Sequence, residues 1–198
     1  MSDKFGIANP EQHKAIKEMK YNLKWLTEQQ EKPLKYLFFW GHQPSKDGRI
    51  TQTCLSQWWV SSFVVDGITY PTAEHWMMAQ KAKLFEDDKV FEQILKAASP
   101  AEAKKLGRQI QNFDEERLLA QRDQIVVEGN FHKFSQNNAL KEFLQQTQRR
   151  ILAEASPIDT IWGIGLAADN PAIVYPEKWQ GSNLLGFALM EVRDRLAD

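Results

Sequence analysis

Ile16, Met19, Leu23 and Leu26 recur at helical spacing and form the first apolar stripe along the chain. Asn9-Pro10 with Gln12 has the form of a helix start: a capping side chain, a proline at the first helical position, and a polar side chain three residues past the cap. Pro33 closes the pattern, so the sequence predicts one helix from about residue 10 to about Glu31, docked by its stripe on the body of the protein. At Tyr36-Leu37-Phe38-Phe39-Trp40 the spacing becomes continuous, as in a buried strand, and Gly41 stops it. The polar stretch from His42 to Thr53, with Pro44, Asp47 and Gly48, reads as a loop. In SQWWVSSFVVDGITYP, Asp66-Gly67 between two β-rich runs predicts a tight hairpin with a type I′ turn. Helical spacing dominates from Pro71-Thr72 onward. One helix opens there and another runs from about Asp88 to Ala98. The capping box Ser99-Pro100-Ala101-Glu102 starts a third. Two more cover about Asp114 to Phe134 and Asn138 to Thr147. ILAEAS (residues 151–156) reads as a short strand, and Asn183 caps a last helix in which Leu185, Leu189, Val192 and Leu196 share a face. The predicted fold class is mainly α with a small antiparallel β-sheet: a single compact domain over residues 35–198, preceded by an accessory helix within residues 1–34.

Composition narrows the functional classes. The chain has 198 residues, 42% of them hydrophobic, and a formal net charge of −1. That suits one sizeable core and disfavours general nucleic-acid binding, which calls for a basic face. Cys54 is the single cysteine, so no internal disulfide and no CxxC metal pair can form, and the four histidines lack metal-ligand spacing. No metal and no cofactor are expected. The start of the chain lacks a secretory apolar region, and no apolar run is long enough to span a bilayer, so a cytoplasmic location without membrane attachment is the expectation. Oligomeric state has no signature here.

Chemistry concentrates in TYPTAEHWMMAQKAKLF, residues 69–85. At about 100° per residue, Glu74 and Lys81 fall within about 20° of each other, on the stripe that also holds Met77, Met78 and Phe85. His75 points about 100° away. Glu74 and Lys81 are separated by about 10 Å of rise, too far for an ion pair along one helix. Two readings stay open from spacing alone. Lys81 can snorkel to solvent while Glu74 complements the helix start. Alternatively, desolvation lowers the Lys81 pKa and makes its amine a nucleophile. Met77 and Met78 read as core filler.

Further along, Glu154 and Asp159 flank Ser156-Pro157 just before Ile161-Trp162-Gly163-Ile164-Gly165. Carboxylates beside glycine-rich backbone serve sites or merely cap turns, and glycosidic cleavage uses such groups for proton transfer and charge stabilisation. Gly181-Ser182-Asn183, entering a helix, can present N–H groups to a phosphate. Arg108 reads as a phosphate or carboxylate clamp or as a surface arginine. Trp40, Trp58 and Trp59 can stack on a base or belong to the core.

Taken as a set, FFWGH, LSQWW, YPTAEHWMMAQKAKLF, SPAEAKKLGR, KFSQN, ILAEASPIDTIWGIG and GSNLLGFALMEVR, in order from about Leu37 to Arg195, resemble the YbiA-like family, also called NADAR. The resemblance implies a compact, mainly helical fold and N-glycosidase activity without a cofactor. The substrate would be a small phosphoribosyl or ADP-ribosyl molecule: an early riboflavin-pathway intermediate, or ADP-ribose on a guanine base. A non-catalytic ADP-ribose-binding module is the other class it leaves open. By the same resemblance, Lys81 matches the lysine that forms a Schiff base with the sugar, and Glu74 and Asp159 match the motif acids. Trp40, Gly41, Trp58, Arg108, Glu154, Trp162, Gly163 and Asn183 are the expected substrate contacts.

Overall fold

In the computed structural model, which describes residues 18–29 and 33–197, seven helices are found among the described residues: α1 (Leu23–Glu28), α2 (Ala73–Leu84), α3 (Asp88–Leu95), α4 (Pro100–Gly107), α5 (Glu115–Ser135), α6 (Asn138–Gln146) and α7 (Leu184–Arg195). Four short strands accompany them: β1 (Tyr36–Phe39), β2 (Phe63–Val65), β3 (Ile68–Tyr70) and β4 (Ile151–Glu154). The fold is mainly α with small sheets, in one domain.

The caps account for most helix starts. Thr72 Oγ1 accepts the His75 N–H at the head of α2, Asp87 the Val90 N–H at α3, Ser99 the Glu102 N–H at α4, and Asp114 the Arg117 N–H at α5. Glu102 reaches back to the Ala98 N–H at 2.7 Å, completing the reciprocal box one residue earlier than the usual pattern.

Asp66 and Gly67, at φ 50° and 77°, give the two left-handed positions of a type I′ turn, so β2 and β3 pair antiparallel with Val65 opposite Ile68. A second pair was not foreseen from local pattern. β1 and β4 run parallel, Tyr36 opposite Ile151 and Phe39 opposite Glu154, although more than a hundred residues separate them. Parallel partners need a long crossover, and here that crossover contains α2 to α6.

The long first helix is corrected. Its predicted start at Asn9-Pro10 lies outside the described residues, and within them α1 begins only at Leu23, capped by Asn22 Oδ1 on the Trp25 N–H. The preceding turn is drawn to α7 instead: the Tyr21 N–H donates to Glu191 Oε1, and the Tyr21 hydroxyl donates to Asp194 Oδ2 at 2.6 Å. Leu26 nevertheless docks as the stripe requires, fully buried in the core with Phe39, Leu55, Phe134, Leu152 and Phe187.

A second core of Phe63, Tyr70, Trp76, Phe85 and Ile94 lies around α2 and α3. Helix α2 packs on α3, α4 and α5, while α7 packs on α5 and β4. The head of α2 and the end of β4 are thereby held from independent sides.

Candidate active site

The segment before α2 is fixed from α5. Lys133, with no exposed surface, donates from Nζ to the carbonyls of Cys54 at 2.7 Å and Ser56 at 2.8 Å, and Asn130 Nδ2 donates to Gln57 Oε1 at 2.8 Å. The Gln57 carbonyl then accepts the Glu74 N–H at 3.0 Å. Glu74 is 2% exposed, and its Oε1 is buried without a hydrogen-bond partner among the described residues. Burial pushes its carboxyl up to about 7, against the pull of Lys104, the Trp58 side chain and Arg108, with Asp159 adding to the rise.

Glu154 ends β4 and mirrors this environment. Burial raises its carboxyl to about 7, reinforced by Asp159 and Glu74 and opposed by Lys104, and its Oε2 is also buried and unpartnered among the described residues. Asp159, the third acid, accepts the Ile161 and Trp162 N–H groups on Oδ1 at 2.9 and 2.8 Å. The three acids that the sequence separates by up to 85 positions are thus brought together. The tight packing behind them depends on glycine. A Cβ on Gly163 would stand 2.9 Å from both the Glu154 and Asp159 carbonyl oxygens, and one on Gly181 would stand 2.3 Å from the Gly163 carbonyl oxygen.

Asn183 serves this packing. At φ 53° it makes no side-chain cap for α7. Its Oδ1 instead accepts the Glu154 N–H at 3.0 Å and its Nδ2 donates to the Leu152 carbonyl at 2.9 Å. The N–H groups of Ser182, Asn183, Leu184 and Leu185 are likewise occupied by the carbonyls of Thr160, Gly163, Ile161 and Trp162. The N–H groups at this helix start are thus taken up within the chain, and the Asn183 side chain holds Glu154 in place.

Lys81 lines a pocket of about 140 Å³ with Met77, Met78, Ile161 and Trp162. Its Nζ donates to the Gly107 carbonyl at 2.9 Å and lies 4.7 Å above the Phe113 ring. Burial lowers its pKa, and the neighbouring Arg108 guanidinium lowers it further. Of the stripe read from periodicity, Met77, Met78 and Lys81 line the pocket, while Glu74 and Phe85 are buried. His75 is off it, as the spacing predicts: its Nε2 donates to the Ala97 carbonyl at 3.1 Å, which leaves Nδ1 to accept from Thr72 Oγ1 at 2.8 Å.

The remaining expected contacts come from several elements. Trp58 is half-buried beside Glu74, 5.4 Å from the His42 ring, with Lys104 Nζ 5.9 Å from its own ring centre. Trp40, 57% exposed, and Gly41, at φ 77°, follow β1 next to the end of β4. Trp59, by contrast, belongs to the core. Arg108 is exposed at the end of α4. Lys104 was missed in the sequence, although its i,i+4 spacing from Arg108 puts both cations on one face of α4. Lys133 carried no local signal, since its two acceptors lie more than 70 residues away. Among the described residues, no group of three or more His, Cys, Asp or Glu side chains is placed to hold a metal ion, and no helix is long and apolar enough to cross a membrane.

Comparison with known proteins shows the family. The model of the NADAR domain matches residues 38–197. The chain belongs to the NADAR family. Among NADAR relatives, N-glycosidase R617 of Acanthamoeba polyphaga mimivirus is 39% identical over 165 residues, covering 81% of this chain and 95% of that protein. N-glycosidase YbiA of Escherichia coli strain K12 is 33% identical over 133 residues, covering 67% of this chain and 74% of its own length. The NMR structure of E. coli YbiA superposes with a TM-score of 0.65 at 29% identity, over 82% of this chain and 85% of that one. A third relative, Riboflavin biosynthesis protein VVA0006 of Vibrio vulnificus, is 31% identical over 144 residues, 73% of this chain but 35% of that protein.

Proposed function

We propose that this NADAR-family N-glycosidase hydrolyses the bond between ribose and an amine nitrogen in phosphoribosylated riboflavin-pathway intermediates, releasing ribose 5-phosphate and a pyrimidine amine. The observation that carries the reading is a single face of α2 that presents Lys81, its amine destabilised as a cation, to a pocket and holds the buried acid Glu74 seven residues earlier. Two relatives are named N-glycosidases and one is named for riboflavin synthesis, which supports the reaction and this substrate class.

The chemistry follows from the groups present. A glycosylamine opens to an imine at C1′. The neutral Lys81 amine, steadied by its N–H bond to the Gly107 carbonyl, adds to C1′ and displaces the pyrimidine amine. Water then attacks the lysine imine, and the sugar leaves as its aldehyde, restoring the amine. Glu74 with a second carboxylate moves the protons, and the negative charge of Asp159 steadies positive charge on the sugar. Arg108 and Lys104 hold the phosphate, while Trp40, Trp58 and Trp162 flank the base and ribose.

Parallel incubations with a phosphoribosylaminopyrimidine and with ADP-ribosylated guanosine, followed by chromatography of the free bases, test this directly. The reading predicts pyrimidine release at the higher kcat/KM. Release of guanine alone would assign the other substrate, and tight binding of either compound without release would make the domain a binding module.

A further inference from the structure

Cleaving an N-glycosidic bond requires one proton for the departing nitrogen and one acceptor for the proton of the incoming nucleophile. Asp159 has a structural task, because its Oδ1 accepts the Ile161 and Trp162 N–H groups that shape the turn. Glu154 is built differently. Its main chain is fixed by pairing of β4 with β1, by Asn183 Oδ1 on its N–H, and by the Ile164 N–H on its carbonyl at 2.9 Å. The carboxylate on this rigid backbone keeps one buried oxygen without a partner among the described residues, as does Glu74, itself almost wholly buried. Unpartnered acceptors in such surroundings are costly unless a proton or a ligand meets them.

We propose that Glu154 is the second catalytic carboxylate, exchanging protons with the substrate in concert with Glu74, and that Asp159 supplies charge and holds the turn without transferring a proton. This rests on the glycosidase reading above. Lys104 and Arg108 from α4, Asp159 from the turn after β4 and Trp58 from the segment before α2 are the groups that act on the pair. Burial and neighbouring carboxylates raise both carboxyls to about 7, so near neutral pH one member can carry a proton while the other is ionised. As the bond from C1′ to the leaving nitrogen breaks, the protonated member gives that nitrogen its proton. As the new bond to C1′ forms, the ionised member takes one from the Lys81 amine or from water. The pair ends with the one proton it began with, its members having exchanged roles.

Kinetics of Glu154→Gln, Glu74→Gln and Asp159→Asn, with 13C-carboxyl NMR titration of the substrate-free proteins, test the assignment. Glu154→Gln should lower kcat by about 10²- to 10⁴-fold with little change in KM and remove one limb of the kcat–pH profile. Asp159→Asn should keep both limbs. In Glu74→Gln the Glu154 transition should move down, because an anionic neighbour is gone. The proposal is overturned if Glu154→Gln keeps the wild-type kcat and profile, if Asp159→Asn is the variant that loses a limb, or if Glu154 in the folded wild type titrates near the ordinary 4.5. The titration needs no turnover, so a wild type that never releases a base would sink the glycosidase reading while the pairing stays readable.

Discussion

Glu74 and Lys81 are shifted in opposite directions by one cause, since burial disfavours whichever form is charged. For Glu74 this has a stability consequence with a definite sign. The folded carboxyl, near 7, binds its proton more tightly than the unfolded one, at an ordinary 4.5. Its stabilising contribution is therefore whole below about 4.5 and is lost as pH rises through about 7. Glu74→Gln abolishes that loss. In urea titrations the stability of the variant relative to wild type should climb between pH 4.5 and 7 and then level off, while its activity falls by about 10²-fold or more. Parallel pH dependences for the two proteins would show that the carboxyl is not buried as described. At this scale the phase of α2 was legible in the sequence, and its surroundings were not. Helical phase alone puts Glu74 and Lys81 on one wall and His75 off it. The unpaired oxygens and the Lys104 influence are properties of distant chain segments meeting, and local spacing is blind to them.

Among the elements, the contact of α2 with α4 decides where Lys81 points. A Cβ at Gly107 would stand 2.2 Å from Met78 Sδ, so glycine lets α4 approach with Met78 in place, and the Gly107 carbonyl accepts from Lys81 Nζ at 2.9 Å. Gly107→Ala should displace Met78 or lift α4. The expected cost is about 1–3 kcal/mol of overpacking and up to about 100-fold in kcat, the usual effect of misplacing a reacting group by roughly an ångström. Adding Met78→Ala makes room and should restore most of the rate; a single Gly107→Ala variant with full kcat would refute the role. Helix starts were readable because caps are local: Thr72, Ser99 and Asp114 act within three residues of themselves. The unbroken helix through Tyr21 was misread, and the parallel pair was not foreseen, for the opposite reason. Glu191 and Asp194 draw on Tyr21 from α7, and β1 meets β4 only once the helices between them have packed.

Across the whole molecule, the candidate site draws on the end of β1, the segment before α2, the faces of α2 and α4, and the turn after β4, which between them reach all three clusters of the core. The NADAR match over residues 38–197 spans all of these pieces, which explains why ordered blocks of sequence identified the family when no single motif could. The central claim is that Lys81 bonds to the sugar during turnover. Borohydride added during turnover of the phosphoribosylaminopyrimidine, followed by peptide mass spectrometry, should find Lys81 carrying the reduced pentose phosphate, with no adduct in Lys81→Ala. Undiminished base release by Lys81→Ala, with no adduct on the wild-type lysine, would contradict the account.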